Sequence, residues 1–430
     1  MRRRAASILR RVDKGHGFAA DLLRQDDPPF VRELVMGVLR RRGTLDAVHD
    51  GFSRRPAADL DDDVRQALRI GLYQLMFLDG VPPHALVSET VEVLGPKSKR
   101  AYANGVLRAI QRECKKVDPE LDRGGASPRK RFERKGRAVF FFSREVFPDP
   151  EKDLAGWLAA VHSHPVELVR RWLEEVGEQR TIERMERGNA IPQMVLRPRG
   201  GRCTAEELAA AFRDEQIPSQ ILSREHGLDA LIAAPGKSSL FSGKAYRKGL
   251  FTVQDSTQMD AAELLAPRPD EVIWDACAAP GGKSTQLAEL LQDSGRVVAS
   301  DSDSSRLKRV EENVQRLGLT NIEVVEHDAL SESPPPGAPE GGFDAVLLDA
   351  PCSNTAVLAA RPEARWRWNN QTPARMAELQ AQLIVSARRH LKPGGRLIYS
   401  VCTFEPEEGA GHGLQPTRSE LVFEEQLAAS

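Results

Sequence analysis

The chain has 430 residues, too many for one ordinary core, so two to four domains are expected. With 40% hydrophobic residues, 29% charged residues and a formal net charge of −1, its composition is that of a soluble globular protein. No apolar run approaches the roughly 20 residues a membrane-spanning helix needs, and the basic start "MRRRAASILRRVDKGHG" lacks the apolar segment of a secretory signal.

From residue 1 to 117 the pattern is all helical. "FVRELVMGVLR" puts Val31, Leu34, Val35, Val38 and Leu39 on one face. "DDVRQALRIGLYQLMFLDG" opens with acids and stops at Gly80, "VPPHALVSETVEVLG" opens with proline and stops at Gly95, and "SKRAYANGVLRAIQREC" follows. Short connections between amphipathic helices predict a compact bundle. Residues 118–150, "KRFERKG" among them, read as a basic linker: from Gly95 to Arg137 there are 14 Lys/Arg against 5 Asp/Glu. Such a run is commonly a solvated face, and it is also what a phosphate backbone recruits. In 151–250 helical pieces ("PVELVRRWLEEVG", "AEELAAAFRDEQI") alternate with strand-like ones ("QMVLRPRG", "LFTVQD"), which predicts a small α+β domain. Residues 251–430 form the last domain. There "EVIWDA", "RVVASD", "NIEVVEHD", "FDAVLLDA" and "GGRLIYSVCT" are strands separated by helical segments, the pattern of a Rossmann-like, doubly wound α/β sheet.

Ligands of such sheets bind outside the carboxyl ends of the strands. "DACAAPGGKST" (275–285) follows the first strand and opens a helix, with small residues that let the backbone approach a ligand and free the helix N-terminus. It is neither GxGxxG nor a P-loop. Asp301 closes the second strand, where such folds place the acid that holds ribose hydroxyls, and Asp328 closes the third, within reach of an adenine amino group. Each acid alone is explained by an ordinary strand cap; together they favour an adenosine-bearing cofactor, either a nicotinamide dinucleotide or S-adenosylmethionine. Five cysteines (Cys114, Cys203, Cys277, Cys352, Cys402) form no CxxC pair and nine histidines are scattered, which suggests free thiols in a reducing compartment, the cytoplasm, and no metal. Cys352 in "DAPCSNTAV" and Cys402 in "YSVCTFEPEE" follow successive strands, so both thiols are expected to face one crevice beside Asp349. A thiolate adding to C6 of a cytosine makes C5 nucleophilic enough to attack a sulfonium methyl, after which a base removes the C5 proton and the thiolate leaves.

"DACAAPGGKST", "DAPCS" and "SVCTFEPEE" resemble the RNA 5-methylcytosine methyltransferases. "RELVMGVLRRRGTLD", "RIGLYQLMFLDGVPPHALVSETVEV" and "NGVLRAI" are similar to the NusB-like RNA-binding domain of the RsmB/Sun subfamily, which acts on 16S ribosomal RNA. The resemblance runs to about Glu408. It implies that Cys277, Ala278, Ala279, Pro280, Gly281, Gly282 and Lys283 embrace S-adenosylmethionine, with Asp301 on its ribose and Asp328 near its adenine. It further implies that Asp349 serves cofactor and base, Cys402 is the nucleophile, Cys352 assists product release and Lys283 assists at the substrate. Ribosomal RNA is then the partner, and a monomer with neither membrane nor metal is expected.

The chain departs from the pattern in places. Asn354 and Ala356 stand where the family usually has glycine, and Gly409 where it has asparagine. A left-handed backbone suits Asn354 and would strain Ala356. Only 28 residues (403–430) follow Cys402, so the antiparallel pair that closes such a sheet is expected to be missing or altered. Two other functions remain compatible with these residues: the same chemistry on transfer RNA, and an inactive RNA-binding assembly factor. A dehydrogenase would leave the two thiols unexplained.

Overall fold

The computed structural model describes the whole chain apart from residues 25, 81–82, 123, 234–238, 293, 420 and 429–430. It divides into two compact units, one made of residues 1–191 with 356–370 and the other of 192–355 with 371–430.

The first unit begins with the helices Arg2–Asp13, Pro29–Phe52, Asp62–Phe77, Pro83–Val91 and Lys97–Glu113. The predicted face is the buried one: Val31, Leu34, Val35, Val38 and Leu39 are all within 1% of full burial. Each such side chain contributes about 1.5–3 kcal/mol of transfer free energy. The opening Val81–Pro82 of the predicted helix "VPPHALVSETVEVLG" lies outside the described residues.

Residues 118–150 correct the linker expectation. Strand β1 (Cys114–Val117) pairs antiparallel with β3 (Ala138–Phe142), which also pairs with β2 (Arg131–Arg134). Phe132, Phe140, Phe142 and Phe147 are buried in the same core as the helices. The charges lie between them because alternate residues of a strand face opposite ways, so a basic sequence still carries a full apolar face. Ion pairs hold several of these cations: Lys99 with Asp61, Lys116 and Arg134 with Asp79, Arg129 with Glu145, Arg131 with Asp122, and Lys135 with Glu186.

The helices Leu154–His162 and Val166–Asn189 complete this part of the unit, the latter kinked at Gly177. The segment 356–370 packs here rather than with the sheet that precedes it in sequence. Fully buried Arg365 donates to the carbonyls of Ser163 (3.0 Å) and Gly188 (2.7 Å) and to Asn189 Oδ1 (2.8 Å). Trp366 Nε1 donates to the Leu39 carbonyl at 2.9 Å.

In the second unit a four-stranded antiparallel sheet, ordered β5-β6-β4-β7, joins β4 (Met194–Pro198), β5 (Ser219–Leu222), β6 (Ala230–Ala233) and β7 (Phe251–Val253). The seven-stranded sheet contains β8 (Val272–Asp275), β9 (Arg296–Asp301), β10 (Ile322–Glu326), β11 (Phe343–Asp349), β12 (Leu391–Ser400), β13 (Gln415–Pro416) and β14 (Val422–Gln426). Its order is β10-β9-β8-β11-β12-β14-β13, parallel through β12 and antiparallel beyond. Alternation along the strands makes two cores. Ile273, Val297, Ala299, Leu347 and Ile398 face one side with Leu287, Leu307 and Val310; Trp274, Val298, Val346, Leu348 and Tyr399 face the other with Leu383 and Ile384.

Of the two expectations for the closing hairpin, missing or altered, the structure shows the second: it is present in a shortened form. β14 pairs with the full length of Arg396–Ser400, and β13 contributes two residues. Its sequence signal is weak because Val422 and Phe423 are buried on opposite faces while the residues after them are charged or polar. Among the described residues no helix is long and apolar enough to cross a membrane.

Candidate active site

Every site residue named from the sequence lies at or just beyond a carboxyl end of β8, β9, β10, β11 or β12. The loop after β8 is tied to both neighbouring strands: Ala276 N–H donates to the Leu347 carbonyl (3.0 Å) and Ala278 N–H to the Ser300 carbonyl (2.8 Å). Gly281 caps the helix Gly282–Leu290 with φ +98°, and a Cβ there would sit 3.0 Å from Val310 Cγ1. Both the left-handed backbone and the close approach require glycine.

Three carboxylates gather around this loop. Asp275 is 1% exposed; its Oδ2 accepts from Ser284 Oγ at 2.6 Å, whereas Oδ1 is buried without a protein partner. Burial drives its pKa up from 3.8 to about 7. Asp301 accepts from the N–H groups of Ala279 (3.3 Å) and Asp303 (3.1 Å) and pairs with Arg306 at 3.1 Å. Asp349, at the end of β11, pairs with Lys283 Nζ at 2.7 Å and keeps 37% of its side chain exposed, while Lys283 is largely buried. Asp328 is exposed, two residues beyond β10, with Oδ1 accepting from Leu330 N–H at 3.0 Å. Burial, then Asp275, Asp301 and Asp349 in turn, push the Cys277 thiol well above its ordinary range. Cys277 is thus a neutral loop residue beside three acids, two of which are ion-paired.

Asp275 carries a stability prediction. Below pH 3.8 folded and unfolded chains both hold its proton; between 3.8 and about 7 only the folded chain does. Its contribution therefore falls as pH rises through that window, by up to about 1.4 kcal/mol per pH unit. Asp275→Asn, whose amide keeps an oxygen for Ser284, is expected to gain melting temperature relative to the parent as pH goes from about 5 to 8. A difference that is constant over this range would mean that Asp275 is not protonated at rest.

The two thiols predicted to face one crevice do so. Cys352 Sγ and Cys402 Sγ are 3.0 Å apart, and Cys402 N–H donates to Cys352 Sγ at 3.3 Å. The hydrogen bond to Cys402, then burial, raises the Cys352 pKa. Asn354 has the left-handed backbone its position demands (φ +62°), whereas Ala356 is not among the positive-φ residues, so only the first departure from glycine meets a conformational demand. The absence of a side chain at Gly409 makes room for Phe423, whose ring would lie 3.0 Å from an added Cβ.

Sequence reasoning missed the scaffold under the thiols. Buried Glu408 accepts from Ser353 N–H (2.9 Å) and Gln380 Nε2 (3.1 Å), and burial raises its pKa. Thr403 Oγ1 lies 2.6 Å from Ser353 Oγ and 2.9 Å from Thr355 Oγ1. This lattice locks the loop after β11 to the loop after β12. Thr403 and Glu408 sit inside "SVCTFEPEE", a usable signal; Gln380, on the helix Thr372–Arg389, offers none.

Comparison with known proteins bears on the chain as a whole. The family model described as 16S rRNA methyltransferase RsmB/F matches residues 262–412, and that of the NusB family matches 1–112. Ribosomal RNA small subunit methyltransferase B of Vibrio cholerae is 32% identical over 415 residues, 94% of this chain and 86% of that protein. This chain belongs to the RsmB/F methyltransferase family. The protein of the same name from Klebsiella pneumoniae is 31% identical over 389 residues, 89% of this RsmB/F chain and 80% of that protein. The crystal structure of PH0851 has the same fold, with a TM-score of 0.72 at 22% identity over 96% of this chain and 88% of that one. NSun6 from Pyrococcus horikoshii gives a TM-score of 0.52 at 23% identity, covering 59% of this chain and 89% of its own. This RsmB/F chain is accordingly a methyltransferase.

Proposed function

We propose that this enzyme transfers a methyl group from S-adenosylmethionine to C5 of a cytosine in 16S ribosomal RNA, with Cys402 as nucleophile and Cys352 assisting product release. The observation that carries the reading is the pair of thiols 3.0 Å apart at adjacent strand ends, next to the Asp349–Lys283 pair. The cofactor assignment is supported by the glycine-opened helix N-terminus after β8 and by the buried, unpartnered Asp275 Oδ1, a polar atom left for a ligand. S-adenosylmethionine, when bound, supplies the electrophilic methyl group. The loop 277–283, Asp275 and Asp301 would hold it, with Asp328 near its adenine.

On the RNA side Cys402 first gives its S–H proton to a base, and the resulting thiolate sulfur forms a bond to C6, which turns C5 into an enamine carbon. Asp349 hydrogen-bonds the N3/N4 edge of the base and orients it, and the Lys283 ammonium 2.7 Å from that carboxylate offsets the negative charge that develops on the ring as sulfur adds. After C5 gains its methyl group, a base takes the C5 proton, the electron pair of that C–H bond forms the C5–C6 double bond, the C6–S bond breaks and Cys402 departs as thiolate, with the Cys352 thiol beside it. A target inside a helix must first leave its stack to reach such a crevice. A reducing cytoplasm keeps both thiols free. The pairing of β14 along Arg396–Ser400 supports an intact sheet and so the active enzyme over an inactive binding factor. The NusB-family match over 1–112 is the feature that favours ribosomal over transfer RNA.

The test is a denaturing gel after incubation with S-adenosylmethionine and small-subunit ribosomal RNA. Cys352→Ala is expected to accumulate a slow-migrating covalent protein–RNA band, and Cys402→Ala to give neither band nor methyl transfer. A band that survives in Cys402→Ala would overturn the assignment of the nucleophile. A parent enzyme that transfers no methyl group would overturn the reaction.

A further inference from the structure

The two site thiols are chemically alike, so something must order their protons before one of them attacks. We infer that Asn354 is a positioning residue that does this, by accepting the Cys402 S–H and setting the direction of hydrogen bonding through both thiols. The inference rests on the reading of Cys402 as the nucleophile.

The Asn354 carboxamide has only one chemically consistent orientation. Its Nδ2 lies 2.7 Å from the Cys352 carbonyl oxygen, and a carbonyl only accepts, so the nitrogen must be on that side. Oδ1 then faces Cys402 Sγ, 3.3 Å away, and an amide oxygen also only accepts. Oxygen is a much better acceptor than thiol sulfur, so the single proton of Cys402 goes to Asn354 rather than to Cys352. In the 3.0 Å contact between the sulfurs, Cys352 is therefore the donor and Cys402 the acceptor. Cys352 in turn accepts from the Cys402 backbone N–H. The chain runs one way, from Cys402 N–H through Cys352 Sγ–H to Cys402 Sγ–H and out to Asn354.

This order differentiates the thiols. A hydrogen bond made by the neutral form disfavours ionisation, so Asn354 holds the Cys402 thiol protonated at rest. A Cys402 thiolate would face the lone pairs of Oδ1, and the amide cannot turn without losing the Cys352 carbonyl. Meanwhile the Cys352 S–H is already aimed at the sulfur that must later leave the base. Backbone geometry makes the side chain removable: at φ +62° glycine fits without strain and aspartate is among the best tolerated replacements.

The experiment follows iodoacetamide alkylation of Cys402 and Cys352 separately, by mass spectrometry of their peptides, across pH 6 to 10 in the full chain. In Asn354→Gly the Cys402 midpoint is expected to fall by about one pH unit, roughly tenfold more thiolate near neutral pH. In Asn354→Asp, which keeps an acceptor and adds a negative charge, it is expected to rise. A Cys402 midpoint that stays within about 0.2 units in both variants would mean that Asn354 only shapes the loop, and the inference would fall. The covalent-band assay in the Cys352→Ala background reports separately on the nucleophile. Shifted midpoints without a band there would sink the proposed reaction while leaving the order of the thiols standing.

Discussion

Asp349→Asn is expected to lower kcat for methyl transfer by roughly 10²- to 10³-fold, the scale of losing one preorganised electrostatic group at the reacting centre. The geometry singles out this acid among the three at the strand ends. Asp275 is sealed in with a raised pKa, and Asp301 is occupied by two backbone N–H groups and Arg306. Asp349 alone of the three combines an open face with an ion pair, to Lys283, that holds it in place. Asparagine keeps the shape and one acceptor oxygen but removes the charge and presents a donor on one side. In the proposed reaction that loss falls on kcat more than on KM, because the charge on the base develops only as the sulfur adds. Single-turnover transfer of a labelled methyl group would separate the two. Lys283→Ala is the control: if it reproduces the whole loss, Asp349 acts through the lysine rather than on the base. A kcat within about threefold of the parent would remove Asp349 from the chemistry.

Much of this site was legible because a parallel sheet converts sequence position into place. Once "EVIWDA", "RVVASD", "FDAVLLDA" and "GGRLIYSVCT" read as strands, the residues after each had to share one edge, and Asp275, Asp301, Asp349, Cys352 and Cys402 do. Three things resisted reading, each for a physical reason. Strand β2, "RFER", carries one buried phenylalanine among charges, so its apolar face is visible only beside β3 and the helices it packs on. The segment 356–370 follows the catalytic loop in sequence, yet the partners of Arg365 are Ser163, Gly188 and Asn189, which no local pattern announces. Glu408 reads as one acid of a polar "EPEE" and is fully buried, because Ser353, Gln380 and Thr403 converge on it from three separate segments. Periodicity finds elements and their faces; it does not find polar contacts across the fold.

The same limit hides Arg197, whose replacement by alanine is expected to destabilise the second unit by about 3–5 kcal/mol. Arg197 sits in β4 with 3% exposure, and its guanidinium pairs with both oxygens of Glu289 on the helix Gly282–Leu290. It also donates to Gln254 Oε1 at 2.8 Å and to Thr285 Oγ1 at 3.3 Å. Gln254 passes the connection on to Gln286 Oε1 at 2.7 Å, so contacts at Thr285, Gln286 and Glu289 hold the helix that the cofactor loop opens. Removing the guanidinium leaves the Glu289 carboxylate buried with only the Gly200 N–H, at 3.0 Å, and an uncompensated buried charge is among the costliest defects a fold can carry. Replacing both partners, Arg197→Met with Glu289→Met, removes the charge as well as its partner and is expected to recover most of the loss. Hydrogen exchange across 282–290, with the urea midpoint, would measure both variants in the full chain. If Arg197→Ala costs less than about 1 kcal/mol, the pair is a solvated contact in practice, and the cofactor helix is held instead by its apolar Leu287 and Ala288 and by the Ser284–Asp275 and Gln254–Gln286 bonds.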